Sequence, residues 1–233
     1  MERLWLHARA PFAAYRGMQA GVYRTTAPVI PHSAAHGLVL NLAGIETRDP
    51  APDVTTQIRA DVPRLRIAVG AVSPAGVSTL YQQLHSYPVG GSGKELKERS
   101  HGAKYWIAPV RRELLVGLDV VIGVEAPDGD LRDRVRRGLA GDLGEERYGL
   151  PFAGDNSLLF DQLDLLGVPP RVRWYARLDP DEPPRRGSCR LTVGIDRRDS
   201  SRTTTVLCAP VDQATEEPPE KAWVWTPRRP EDP

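Results

Sequence analysis

Apolar residues recur every three to four positions in two stretches of the chain, and this spacing predicts two amphipathic helices. The first helix is predicted to begin at Ser33, whose hydroxyl can cap it. The second is predicted for residues 128–143, with Asp128 as its cap and Gly141 or Gly144 at its end. Each helix therefore has one apolar face that must pack against another layer of the fold.

Short apolar or alternating runs predict strands around these helices. The runs occur at residues 4–8, 64–72, 105–110, 113–124, 158–166, 171–178 and 188–196. The first run ends before Pro11, and Arg111 and Arg112 are expected near a bend. The last two runs are predicted to pair with each other. The order strand, helix, strand, strand, helix, strand predicts an α+β protein with the split βαβ arrangement of ferredoxin-like folds.

The remaining segments predict how the chain is organised. Residues 86–104 are rich in glycine and charge, which predicts a flexible basic insertion between two strands. This insertion belongs to a body at residues 1–166, and a β-rich extension at residues 167–212 follows it. Residues 213–233 are acidic and proline-rich, so we expect a loosely structured tail whose tryptophans, at positions 223 and 225, can dock on the body.

Charge is balanced over the whole chain but not along it. The 31 basic and 30 acidic residues among 233 give a formal net charge of +1, so a nucleic-acid surface must come from local segregation. Between residues 94 and 112, six basic residues outnumber two acidic ones, and His101 adds a further donor. Tyr105 and Trp106 can stack on bases. The segment is either an RNA-binding element or a solvated hairpin tip that touches nothing.

The loop at residues 12–31 has no sustained period and carries aromatic and basic side chains that we expect to be exposed. These side chains are Tyr15, Arg16, Tyr23 and Arg24. Together with the free N–H groups of the helix start at Ser33, they predict a phosphate-binding groove. The alternative is that both arginines are ordinary surface residues and that Ser33 is only a cap. His36, one turn into the helix, is either a groove residue or a satisfied core histidine.

Motifs for other chemistries are missing from the sequence. Residues 91–94 (GSGK) lack the spacing and the following hydroxyl of a phosphate-binding P-loop, and no HExxH motif occurs. His32 and His36 have a zinc-ligand spacing but no evident third ligand, so we expect no metal and no cofactor. Cys189 and Cys208 are predicted to be reduced thiols. Without a signal core or a membrane-length apolar run, the sequence predicts a cytoplasmic protein.

Several segments resemble the CRISPR-associated Cas five family, the RAMP-type subunit of type I Cascade complexes. Residues 10–16 (APFAAYR) and 25–38 (TTAPVIPHSAAHGL) are similar to its N-terminal motif, above all the proline, serine-alanine and glycine-leucine that open the helix. Residues 104–106 (KYW) and 149–156 (GLPFAGDN) resemble the DevS-like branch of the family. The segments span the first two thirds of the chain, and the last third carries no matching signature.

This resemblance implies an RRM-like RAMP fold: a ferredoxin-like body, a protruding β-hairpin thumb at about residues 86–104, and a small C-terminal extension. Such subunits clasp the 5′ handle of the crRNA, abut the first backbone subunit and contact the large subunit. They reach target DNA indirectly, through the complex. The candidate RNA-binding residues in this chain are Tyr15, Arg16, Tyr23, Arg24, Ser33, His36, Lys94, Lys97, Arg99, His101, Lys104 and Tyr105.

The family also raises the possibility of an enzyme, because some members of one subtype cut precursor RNA with a tyrosine, a lysine and a histidine. His101, Lys104 and Tyr105 supply these residue types, although the sequence does not show that they converge on one phosphodiester. The DevS-like branch usually accompanies a separate processing nuclease. We therefore favour a guide-RNA-binding scaffold over an endoribonuclease, and the third alternative is an unrelated ferredoxin-like protein with a mobile basic loop.

Overall fold

The computed structural model describes residues 2–17, 22–50, 56–88, 105–126, 129–144, 147 and 149–230. Its two α-helices are α1, His32–Leu42, and α2, Leu131–Ala140. Its strands are β1 Glu2–Ala13, β2 Tyr23–Arg24, β3 Leu65–Ala71, β4 Gly76–Pro88, β5 Tyr105–Ala126, β6 Gln162–Leu166, β7 Arg173–Arg177, β8 Cys189–Gly194, β9 Thr204–Pro210 and β10 Val224–Thr226. Among the described residues, no helix is long and apolar enough to cross a membrane.

The described strands form one large sheet that is antiparallel apart from the short pair of β2 and β5. Its order runs β6-β1-β5-β3-β7-β9-β8. Helix α1 connects β1 to β3, and α2 connects β5 to β6. Successive strand residues point to opposite faces, so Leu4 and Leu6 join the core that contains α1, while Trp5 joins a second, tryptophan-rich cluster. The protein is therefore a mixed α/β molecule with apolar packing on both faces of its sheet.

Strand β5 is the central and longest element of this sheet, and it corrects the prediction of two strands separated by a bend. It runs without interruption through Arg111 and Arg112. Its second half pairs with β1 and β3, and its first half pairs with β4 from Gly76↔Val116 to Pro88↔Tyr105. Strand β4 has no counterpart among the strands predicted from the sequence. The predicted insertion at residues 86–104 begins at the end of β4, and its remainder, 89–104, lies outside the described residues.

Two predicted element ends are wrong. Strand β1 does not stop before Pro11 but continues to Ala13. Proline has no N–H group to donate to a neighbouring strand, but β6 pairs with β1 only at residues 5–9, so the missing donor interrupts no pairing between the described strands. Helix α1 begins at His32 with Pro31 in the cap position and no side-chain cap, so Ser33 lies inside the first turn. The predicted end of α2 at Gly141 is confirmed: this residue has φ 75°, a left-handed conformation that favours glycine.

Helix α2 begins later than predicted. Its first residue is Leu131 and its cap position is Asp130, whose side chain makes no capping hydrogen bond. The predicted cap, Asp128, lies outside the described residues.

The C-terminal part of the chain is more ordered than predicted. Strands β7 and β8 do not pair with each other, because β9 lies between them. Residues 213–230 are not a loose tail, since β10 pairs with β3 and Trp223 is buried. The expected docking of Trp223 is confirmed: its ring centroid lies 6.0 Å from that of Trp5, and Gly123 of β5 leaves room for both indoles. Trp225 stays 41% exposed. The proposed boundaries at residues 166 and 212 stay predictions.

Candidate nucleic-acid interface

The loop after β1 is fastened to the first half of β5. Strand β2 runs parallel to β5 and places Arg24 beside Arg112. The carboxylate of Glu113 accepts two hydrogen bonds from this loop, one from the Tyr23 hydroxyl at 2.8 Å and one from the Thr26 backbone N–H at 3.0 Å. Residues 23–26 of this loop, which have no helical or strand period, are thus attached to β5 by a carboxylate and a short parallel pair.

The segment at residues 149–160 approaches the same place from the other side. The Ala14 N–H donates to the Ala153 carbonyl at 3.0 Å. Gly154 has φ 81°, and a Cβ atom there would overlap the Ala14 carbonyl oxygen. Only glycine permits both this backbone conformation and this close approach. The following residue, Asp155, is thereby brought to the arginines of the loop and of β5.

Arg16, Arg24 and Arg112 lie close together, and we call them the arginine cluster: Asp155 pairs with Arg16 and Arg112, while Arg24 lies beside Arg112 and its charge acts on Arg16. Arg112 is bonded to Asp155 through Nη2, and it reaches Gln82 of β4 at 3.4 Å. Arg16 Nη2 lies 3.8 Å from the same carboxylate. The side chain of Arg112 is 11% exposed and that of Arg16 is 43% exposed. Arg112 is therefore the buried support of the cluster, and Arg16 is its solvent-facing member.

The electrostatics of the cluster leave an excess of positive charge. Burial of Asp155 opposes ionisation, but hydrogen bonds from Ser157 and Arg112 outweigh it and lower the pKa of Asp155 to about 2. Burial, and then the charges of Arg112 and Arg24, lower the pKa of Arg16, whereas Asp155 raises it. Because arginines stay protonated in proteins, Arg16 and Arg112 bring two positive charges to one carboxylate, and Arg24 adds a third positive charge close to Arg16. A concavity of about 270 Å³ opens here, lined by Arg16, Gly17, Arg24 and Thr25.

The predicted groove residues separate into surface and core positions. Arg16 and Arg24 come together as predicted, and Tyr23 is 47% exposed beside them. The expectation that Tyr15 is exposed is wrong: the ring is 3% exposed, and burial raises the pKa of its hydroxyl. His36 is a core histidine whose Nε2 lies 2.7 Å from the Pro63 carbonyl oxygen, and burial lowers its pKa.

The start of α1 is not among the residues that line the concavity. Ser33 is half-buried in the first turn, and α1 packs on β3, β8, β10 and α2. The preceding residue, His32, is fully buried, and burial lowers its pKa to about 4. The helix N-terminus is thus close to the C-terminal strands rather than to the arginine cluster.

A family model described as CRISPR-associated protein (Cas_Cas5) matches residues 4–142, a range that contains all three arginines of the cluster. The chain belongs to the CRISPR-associated Cas5 family. A solved chain titled "CRISPR RNA-guided surveillance complex" shares this fold at a TM-score of 0.58 and 15% identity, covering 91% of this chain and 90% of that one. Another, "Crystal structure of Cas protein", has a TM-score of 0.49, 13% identity and coverages of 92% and 96%. None of the curated proteins compared with this chain matches it significantly.

Part of the predicted site of this Cas5 chain cannot be placed. Tyr105 begins β5, but its side chain lies outside the described residues. The other residues of the basic insertion also lie outside them: Lys94, Lys97, Arg99, His101 and Lys104. Their contact with RNA stays a prediction. Among the described side chains, no three of His, Cys, Asp or Glu come together to hold a metal ion.

Sequence reasoning missed three residues that build the site of this Cas5 chain. Arg112 was counted among the basic residues at 94–112 but not placed in the groove. Asp155 lies in the segment 149–156 that carries the resemblance to the DevS-like branch, and this was the available signal for it. Glu113 had no signal, because its two hydrogen bonds join residues 90 and 87 positions apart.

Proposed function

We propose that this chain is a crRNA-binding subunit of a type I CRISPR Cascade complex and that it grips the 5′ handle of the guide RNA. The observation that carries the proposal is the arginine cluster of this Cas5 chain, in which Arg16 and Arg112 share the carboxylate of Asp155 and Arg24 lines the same concavity as Arg16. An excess of fixed positive charge in an open concavity suits a phosphate, because guanidinium groups donate paired hydrogen bonds to phosphate oxygens.

Arg112 and Arg16 differ in burial, and they therefore play different parts in the cluster. Arg112 is held by Asp155 and Gln82, so it contributes charge without having to move. Arg16 is more exposed and more loosely paired, so it is the group that can turn toward a phosphate. Tyr23 offers an exposed ring beside them for a base to stack on. Contacts of this kind position a nucleic acid backbone without reading its sequence.

We also propose that the sheet contains a ferredoxin-like core with a thumb. Support for the core comes from the order β6-β1-β5-β3 and from the helical connections between β1 and β3 and between β5 and β6. Support for the thumb comes from the β4–β5 hairpin, whose described β4 residues at 76–81 are all exposed. Its connection, residues 89–104, carries the predicted basic residues and is where we expect further RNA contacts.

The proposed partners follow from the same assignment. The fold neighbour in a solved CRISPR RNA-guided surveillance complex supports a role as one subunit of a multisubunit assembly. We propose that the chain contacts the backbone subunit and the large subunit there, in the cytoplasm, and that it meets target DNA only through the complex. We further propose that it binds RNA without cutting it.

The decisive experiment measures binding of a labelled 5′ handle RNA at several salt concentrations. Replacing Arg16 and Arg24 by alanine should weaken binding and flatten the salt dependence by roughly 0.7 per lost phosphate contact on a single strand. Arg197→Ala with Arg198→Ala is the matched control, because it removes the same charge from exposed positions after β8. If both double variants lose the same affinity, or if neither loses any, the arginine cluster is not the RNA site.

A further inference from the structure

The two cysteines lie opposite each other on neighbouring strands, although 19 positions separate them in the chain. Cys189 is the first residue of β8, and the β8–β9 register pairs it directly with Cys208. Both are free thiols; Cys189 is half-buried and Cys208 is fully buried. Directly opposed residues in antiparallel strands have Cα atoms about 4.5–5.5 Å apart and side chains on the same face. This separation falls inside the range of about 4.4–6.8 Å that a disulfide requires.

We propose that Cys189 and Cys208 form a cross-strand disulfide-exchange site that takes small disulfides, with Cys189 as the entry thiol. The Cys189 thiolate attacks one sulfur of the small disulfide, forms a mixed disulfide and expels the first reduced thiol. Cys208 then attacks the Cys189 sulfur and breaks the mixed disulfide, and its proton passes to the departing thiolate, which leaves as the second reduced thiol. The two protein thiols are oxidised by two electrons, and the small disulfide is reduced to two thiols.

The order of attack follows from the surroundings of each sulfur. The turn before β8, residues 179–187, is exposed, so a small molecule can approach Cys189 from this side. Cys208 lies between β7 and β8 with no exposed surface, so it can react only with a sulfur that is already inside. Burial raises the pKa of Cys189 to about 11 and that of Cys208 to about 12, and the charge of Cys189 adds to the second shift. The thiols are therefore slow to react near neutral pH.

The cross-link would act on the outer part of the sheet. Strand β8 pairs with β9, and its Val193 carbonyl accepts a hydrogen bond from the Arg228 N–H at 3.1 Å. Fixing Cys189 to Cys208 would restrict the opening of β8 and, with it, the release of the segment at Arg228. Amide hydrogen exchange of residues 190–194 should therefore slow on oxidation, whereas exchange in α2 should not change.

The test is incubation of the full chain with oxidised glutathione, followed by intact-mass and peptide mass spectrometry. The native chain should lose about 2 Da, the two thiol hydrogens, and should stay monomeric on a non-reducing gel. Cys208→Ser should keep one glutathionyl group on Cys189. Cys189→Ser should stay unmodified while folded and react only after denaturation.

Three results would overturn the proposal: a stable mixed disulfide on the native chain, a disulfide-linked dimer, or modification of Cys189→Ser at the same rate as Cys208→Ser. If a serine variant fails to fold, a time course on the native chain replaces it. The transient glutathionyl group must then map to Cys189 before the cross-link appears, and its appearance on Cys208 would refute the order.

Discussion

Arginines occur in two clusters on this sheet, and the carboxylates around them differ. In the arginine cluster, Asp155 is the one carboxylate that the described residues place against Arg16 and Arg112, and Arg24 lies beside Arg112. Beside Trp223, Arg3 and Arg66 are bonded to a common carboxylate, that of Glu125, and each has a second acidic partner. The second partners are Glu217 for Arg3 and Glu220 for Arg66.

The acidic groups around an arginine, and not the arginine alone, therefore indicate its role. Beside Trp223, three carboxylates satisfy two guanidinium groups, which also lie 5.5 Å and 5.8 Å from the indole centroid. The pairs with Glu217 and Glu220 attach the C-terminal segment to the sheet, and the pairs with Glu125 join neighbouring strands. In the arginine cluster the positive charge exceeds the negative charge, so an added phosphate finds donors that no carboxylate has already saturated.

Of the changes that we propose, replacing Trp223 should have the strongest effect, a loss of stability. Trp223→Ala removes a ring that is 3% exposed and packs against Trp5, so it should lower the free energy of unfolding by about 3–5 kcal/mol. Urea denaturation followed by circular dichroism measures the change. Trp225→Ala is the matched control, because that ring is 41% exposed and should cost far less. Equal losses in the two variants would mean that Trp223 does not anchor the segment.

A second prediction is that the two regions lose their contributions to stability in different pH ranges. The pKa of His32, near the C-terminal segment, is lowered to about 4, whereas an unfolded histidine titrates near 6.5. The unfolded chain therefore binds the proton first, and stability is lost as pH falls from about 6.5 to about 4, by roughly 3 kcal/mol at most. Buried His36 acts in the same direction. Asp155, with a pKa of about 2, stabilises the fold above about pH 4 and loses this contribution only as pH falls toward 2.

The measurement is urea denaturation at pH 7 and pH 5 for the native chain and two variants. His32→Leu should reduce the difference between the two pH values, whatever its effect on stability at pH 7. Asp155→Asn should leave that difference unchanged. If Asp155→Asn instead removes the difference between the two pH values, the loss of stability in acid comes from the arginine cluster and not from His32.

A third prediction changes the charge balance of the arginine cluster without removing an arginine. Asp155→Asn takes away the shared carboxylate, so the cluster gains one net positive charge. Binding of unrelated single-stranded RNA should strengthen, with a salt slope steeper by at most about one unit. Glu217→Gln, which changes the charge by the same amount beside Arg3, should leave RNA binding unaltered. Weaker binding in Asp155→Asn would show that holding Arg112 and Arg16 in place matters more than the net charge.

A feature of this structure is predictable from the sequence when it depends on residues that are close together in the chain. The end of α2 is predictable because a left-handed glycine is a property of one residue. Strand β4 and the first half of β5 form a hairpin in which residues 76–81 of β4 face solvent, so no apolar alternation marks them. The pairing of Arg112 with Asp155 spans 43 positions. Arg16 and Arg24 could be chosen from the sequence, but the carboxylate that orders them could not.

The last prediction concerns the bound RNA: we expect none of its bonds to be cut. General acid–base cleavage needs groups whose pKa lies near the working pH. The described part of the interface offers arginines, which do not give up their protons, and Asp155, whose pKa of about 2 makes it a poor base. Such a cluster can hold a phosphate but has no proton to move at neutral pH. The residue types for cleavage, His101, Lys104 and Tyr105, belong to the basic insertion and its junction with β5.

The test is incubation of the purified chain with end-labelled repeat RNA in EDTA, analysed on a sequencing gel. We expect tight binding with intact RNA, for the native chain and for His101→Ala alike. A defined product from the native chain that disappears in His101→Ala, with RNA binding retained, would replace the scaffold role by that of a processing nuclease. A product that survives in His101→Ala and in catalytically unrelated variants such as Arg197→Ala would instead identify a contaminating nuclease.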